Sequence, residues 1–192
     1  MKFPYEKLRA TSGGLSGLIF ENPSVGLARG LFLSISFRFA PIRYDDRDWE
    51  CSLTSDWIPF RGGSWKEFET IDYSSPEFRE HNETSFYMCE HDWCNEVEVS
   101  LSYEKENMFK VLLKSKVEFS GYFGDDADPE MPVGANLVVP FTNLTIPVGT
   151  VLQESSTPAE AQRVAREFID MNCFEEPMFD GRAFRLHPKW EQ

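Results

Sequence analysis

Apolar and polar positions alternate along much of this chain. Leu33, Ile35, Phe37 and Phe39 are separated by Ser34, Ser36 and Arg38, the period of a strand with one buried face. Val97, Val99, Leu101 and Tyr103 repeat that pattern between Glu96, Glu98, Ser100 and Ser102. A polar tetrad, Glu104-Lys105-Glu106-Asn107, follows. Beyond it come Phe109, Val111, Leu113, Val117 and Phe119, with lysines at 110, 114 and 116 on the other face. Two such runs around a short polar break predict an antiparallel hairpin. Residues 84–90 and 137–141 give further strands. Asp180-Gly181, between Phe179 and Phe184, predicts a small closing hairpin.

Near the C-terminal end the period changes. Thr157-Pro158-Ala159-Glu160 offers a capping hydroxyl, a proline at the first helical position and a glutamate three residues after the cap. Ala161, Val164, Ala165, Phe168 and Ile169 then recur at helical spacing, with Gln162, Arg163, Arg166 and Glu167 facing away. The pattern predicts a helix over about 157–172. The expected fold is therefore α+β: mainly antiparallel β-sheet, sandwich-like or curved, with one amphipathic C-terminal helix packed on it. At 192 residues, with no internal repeat, a single globular domain over 1–192 is expected.

Two segments invite other readings. Residues 131–153 carry no charge over a membrane-spanning length, but Pro132, Pro140 and Pro147 and several Asn and Thr residues suit buried β-structure and turns better. The glycine-rich run Thr11-Ser12-Gly13-Gly14-Leu15-Ser16-Gly17 ends in Leu18. A phosphate loop needs lysine after its last glycine, and a nucleophile elbow around Ser16 needs glycine at position 18. A flexible turn is the expectation there.

Charge then narrows the class of partner. The chain carries 32 acidic and 19 basic side chains, a net charge of −13. Residues 1–44 hold six basic and two acidic groups, whereas residues 45–130 hold 8 basic and 22 acidic ones. The acidic segment 45–130 thus contains the whole excess. Such a balance disfavours nucleic acid and anionic membrane as partners. The start, MKFPYEKLRA, lacks the apolar stretch of a secretory signal. Four scattered cysteines suit reduced thiols in a cytoplasmic protein.

Candidate chemistry is sparse. Cys89, His91 and Cys94 form a weak metal-ligand set, because no second ligand pair stands at finger spacing. The run 124–130 has alternating oxygen ligands but lacks the glycine of a calcium loop. No metal, cofactor or catalytic residue is assigned. The richest stretch lies between Arg43 and Tyr73, where tryptophans recur among acids and turn residues. Interfaces concentrate binding energy in Trp, Tyr and Arg, and acids beside such anchors attract basic surfaces. The partner-binding candidates are Asp45, Asp46, Asp48, Trp49, Asp56, Trp57 and Trp65, together with Asp125, Asp126 and Asp128.

The expectation is a non-enzymatic, acidic cytoplasmic protein that inhibits or neutralises a basic protein partner. Its most concrete form is an immunity protein of a bacterial toxin system. Two alternatives stand beside it. One is a small antiparallel-β enzyme or ligand-binding domain with no recognisable motif. The other is a phage-type inhibitor that mimics nucleic acid.

Overall fold

The computed structural model describes residues 3–63, 83–119, 131–148 and 156–189. Eleven strands are named below in chain order. β1 (Ala10–Asn22) and β2 (Leu27–Phe39) are followed by the short pair β3 (Ile42–Tyr44) and β4 (Arg47–Trp49). Next come β5 (Ser52–Phe60), β6 (Glu83–Met88), β7 (Glu90–Lys105), β8 (Met108–Val117) and β9 (Met131–Pro147). The helix α1 (Pro158–Ala165) precedes the small strands β10 (Met178–Phe179) and β11 (Ala183–Leu186).

β1, β2, β5, β6, β7, β8 and β9 pair in that order, each antiparallel to its neighbour, and β9 returns to β1. The expected sandwich or curved sheet is in fact a closed seven-stranded barrel. Strand parity dictates how it closes. After seven up-and-down strands the first and last run in the same direction, so β1 and β9 pair in parallel, with Leu15 opposite Phe141 and Leu18 opposite Thr145. β11 extends β9 beyond that seam, and β10 pairs with β11.

Inward positions follow the alternation read from the sequence. Leu33, Ile35, Phe37 and Phe39 are buried, as are Val97, Val99 and Leu101. Phe109, Val111 and Leu113 meet them from β8. Phe37, Phe86, Phe109 and Phe141 fill much of the interior, with Phe109 and Phe141 edge to face at 6.5 Å. Outside stand Lys110, Lys114, Lys116, Glu96 and Glu98, with Lys114 paired to Glu98 at 3.5 Å and Lys116 to Glu96 at 2.9 Å. An apolar inside and a charged outside reverse the pattern of barrels that span membranes. No described helix is long and apolar enough to cross one.

The glycine-rich run is strand, not turn: it forms β1 along the closing seam. A Cβ at Gly13 would stand 2.7 Å from the Ser36 carbonyl oxygen, and one at Gly17 would stand 2.8 Å from Leu144 Cδ1. Glycine is there to let neighbouring chain segments approach closely.

The helix is shorter than the expected 157–172. Its N-terminus is capped as the sequence predicts: the Glu160 amide donates to Thr157 Oγ1, and Glu160 Oε2 accepts from the Thr157 amide. Regular helix ends at Ala165, where the Phe168 and Ile169 amides both donate to the Ala165 carbonyl and tighten the last turn. Ala161, Val164, Ala165 and Ile169 join the common core. The hairpin at Asp180-Gly181 is present, with Phe179 opposite Phe184. Asp180 caps the amides of Arg182 and Ala183 and pairs with Arg185 at 2.8 Å. These contacts hold its carboxyl down at about 2.

Candidate functional site

The outer face of β5, β6 and β7 is where the chemistry gathers. Two β-bulges prepare it. On β5, Leu53 and Ser55 face inward and strict alternation would send Trp57 in after them. Instead the pairing with β2 slips between Ile35 and Leu33, and Ile58 and Phe60 become the inward residues. Trp57, at φ +61°, is turned outward. Non-glycine backbone in that region costs of order 1–3 kcal/mol.

On β7 the pairing with β8 slips between Asn95 and Glu98, and Glu96 sits at φ +47°. Alternation counted back from Val97 would place Trp93 inside. The bulge reverses the phase: Asp92 is buried within the barrel, while Trp93 is 63% exposed on its outside.

These residues form adjoining rows. Asp56 stands directly opposite Glu83, and Ser85 opposite Trp93. A recess of about 220 Å³ is lined by Asp56, Glu83, Ser85, His91 and Trp93. Its wall is fixed locally. Ser85 Oγ lies 3.1 Å from Thr54 Oγ1 and 3.4 Å from His91 Nδ1, and the His91 ring packs on Tyr87 at 4.9 Å. Glu83 also lines a wider groove of about 510 Å³, whose apolar wall is Phe20, Leu27, Phe32 and Trp57. Trp57 is held between the two phenylalanines, at 5.3 Å from Phe20 and 5.6 Å from Phe32.

The electrostatics are one-sided. Among the described residues, no cation pairs with Asp56 or Glu83, and neither carboxylate accepts a hydrogen bond. The indole N–H groups of Trp57 and Trp93 likewise donate to no described residue. Two opposed carboxylates with no cation between them repel each other.

The structure distributes the residues expected to bind a partner. Asp56 and Trp57 lie in this face. Asp45, Asp46, Asp48 and Trp49 lie on the β3–β4 hairpin, beyond the Ser52 end of β5 and away from Trp57. Asp45 and Asp46 are its two turn residues, at φ +49° and +58°, the conformation that a two-residue turn of this hand requires. Arg43 lies 3.8 Å from Asp46 and 3.6 Å from Asp48, and the Trp49 indole donates to the Tyr44 carbonyl at 3.0 Å. Trp65, Asp125, Asp126 and Asp128 lie outside the described residues. Glu83, Trp93, Phe20 and Phe32 were not among the expected site residues, His91 was expected only as a weak metal ligand, and the bulge that exposes Trp93 leaves no period-2 signal.

The weak metal set does not converge. His91 faces outward beside Ser85 and Tyr87, whereas Cys94 lies on the inward side with Asp92. Cys89 is the one-residue turn between β6 and β7, at φ +72°. Burial pushes the Cys94 thiol up to about 11 and the Cys51 thiol to about 12. Burial and the neighbouring Glu90 and Asp92 carboxylates raise that of Cys89. Each thiol is thereby held away from the reactive thiolate.

A further cavity of about 610 Å³ lies at the end of α1. Arg166 and Lys189 line it together with Glu167, Asp170 and Glu176, and the Gln162 side-chain amide donates to Glu176 at 2.6 Å. Its charges are of mixed sign.

No protein-family model, no curated protein and no solved structure matches this chain.

Proposed function

We propose that this chain is an acidic binding protein that docks a basic protein partner and blocks that partner's activity. The closest functional description is an immunity protein that neutralises a bacterial toxin in the cytoplasm. The observation that carries this reading is the β5–β6–β7 face. It combines exposed and groove-lining tryptophans with two carboxylates that no described cation satisfies. Aromatic anchors supply contact area, and uncompensated acids supply attraction for a cationic surface. Inhibition follows from occlusion: the acids occupy the basic surface that the partner uses for its own substrate.

An enzymatic reading has less support. Among the described residues, the side chains with displaced titration, Cys51, Cys89, Cys94, Glu160 and Asp180, line none of the three cavities described above. Active sites usually gather such groups in the cleft.

The test is capture of the native partner from cells of the source organism, identification by mass spectrometry, and titration with salt. A basic protein is expected, bound with an affinity that falls steeply as ionic strength rises. Affinity indifferent to salt would overturn the electrostatic reading.

A further inference from the structure

The two cavities that share Glu83 differ in chemistry, and the difference specifies what enters each. The smaller recess, about 220 Å³, is the size of one long side chain. It has carboxylates from two strands, Asp56 and Glu83, and the exposed Trp93 ring at its side. Guanidinium groups pair with carboxylates through a planar fork and stack on indole faces, a combination that ammonium groups match less well. The wider groove offers Phe20, Leu27, Phe32 and Trp57, and only Glu83 as a charged lining residue. An apolar side chain suits it, with the free Trp57 N–H available to a backbone carbonyl.

Resting on the binding reading above, we infer that this two-part groove receives a partner segment in which an arginine adjoins a large apolar residue. The arginine enters the recess between Asp56, Glu83 and Trp93, and the apolar side chain lies against Trp57. Charge complementarity commits the occupant to a basic protein segment: the recess has two carboxylates, and no described residue neutralises either. The bulges give the groove its purpose. One turns Trp57 outward next to Asp56, the other turns Trp93 outward into the recess that Asp56 and Glu83 line, and together they build both walls.

The experiment uses the full chain and a short capped peptide, Gly-Arg-Leu-Gly, with variants carrying citrulline for arginine or serine for leucine. Binding is followed by the indole N–H resonances in nitrogen-labelled protein and by calorimetry at low salt. The Trp93 and Trp57 signals are expected to move on titration. Citrulline is expected to weaken binding about tenfold and serine severalfold, as for loss of a charged contact and of an apolar one. Glu83→Gln, an exposed change that leaves the core untouched, is expected to weaken the peptide about tenfold. Glu98→Gln, on the same strand as Trp93 but paired with Lys114, is expected to have no effect. Binding that leaves both indole signals in place, or that survives Glu83→Gln unchanged, overturns the groove while leaving an acidic binding protein intact. Absence of peptide binding also overturns the groove. The binding reading itself then stands or falls on the salt dependence of the captured partner.

Discussion

The β3–β4 hairpin and the outer face of β5–β6–β7 have the same ingredients, tryptophan among aspartate and glutamate, and put them to different use. In the hairpin most of the groups that stand out have a local task. Asp45 and Asp46 make the turn, Arg43 stands between Asp46 and Asp48, and the Trp49 indole is tied to the Tyr44 carbonyl. On the β5–β6–β7 face the corresponding groups are left open. Asp56 and Glu83 confront each other with no cation from the described residues, and the Trp57 and Trp93 N–H groups donate to no described residue. Composition alone makes the two regions equivalent. Satisfaction of the polar groups separates them, and an unsatisfied surface arrangement is the one that gains from a partner.

Thiol chemistry gives the largest contrast. Cys51, at the base of the hairpin, is buried and pushed up to about 12, whereas Cys89 is exposed in the turn beside the open face. Alkylation at about pH 8 followed by mass spectrometry is expected to label Cys89 about a hundredfold faster than Cys51, despite the raised thiol at Cys89. Equal labelling would mean that the hairpin base is open. The raised Cys51 and Cys94 thiols also set the sign of alkaline sensitivity. The folded chain keeps protons that the unfolded chain releases, so this stabilisation is complete below about pH 9, the ordinary thiol value, and is lost as pH rises toward 11 to 12. Urea midpoints should fall over that window.

A smaller effect separates the two tryptophans. Trp49→Phe removes a hydrogen bond and leaves the Tyr44 carbonyl without it, at a cost of about 1 kcal/mol. Trp57→Phe breaks no hydrogen bond within the described chain and keeps an aromatic ring against Phe20 and Phe32, so a change of under about 0.5 kcal/mol is expected. Urea denaturation of the two variants makes the comparison. Equal losses would contradict the distinction between a tied and an open indole.

The smallest effect is a difference of sign. Neutralising the opposed acids with Asp56→Asn and Glu83→Gln relieves repulsion and is expected to raise stability by about 0.5 kcal/mol. Arg43→Ala removes two weak exposed ion pairs and should lower it by less than about 0.5 kcal/mol. Melting temperatures at low salt, repeated at about 0.5 M salt, should show both differences shrinking. A loss of stability on neutralising the acids would show that they are paired after all.

Much of the barrel was legible because its rule is period 2. The alternation at 33–39, 97–103 and 109–117 states which residues face inward, and the β7–β8 hairpin follows from it. The capping box located the start of α1 for an equally local reason. Closure was not legible, since it depends on strand count and on Gly13 and Gly17 permitting close approach, neither of which alternation records. The candidate site was half legible. Asp56 and Trp57 stood out by residue type. His91 stood out only as a weak metal ligand, and Glu83 is one acid among many in an acidic segment. Trp93 did not stand out, because the Asn95–Glu98 slip inverts the phase of β7 upstream of it, and a pattern read back from Val97 places Trp93 in the core.

The parallel seam has a kinetic consequence. Every other pairing around the barrel joins strands that follow one another along the chain, apart from the small hairpin set between β2 and β5, and can form as the polypeptide emerges. The pairing of β1 with β9 joins residues separated by almost the whole barrel: Thr142 Oγ1 donates to the Leu15 carbonyl across 127 positions. During synthesis β1 therefore waits with an unpaired edge, and a contact so distant in sequence slows folding. The serines and glycines of β1, poor formers of stray strand pairs, fit a segment that must stay unmatched until its partner has been made.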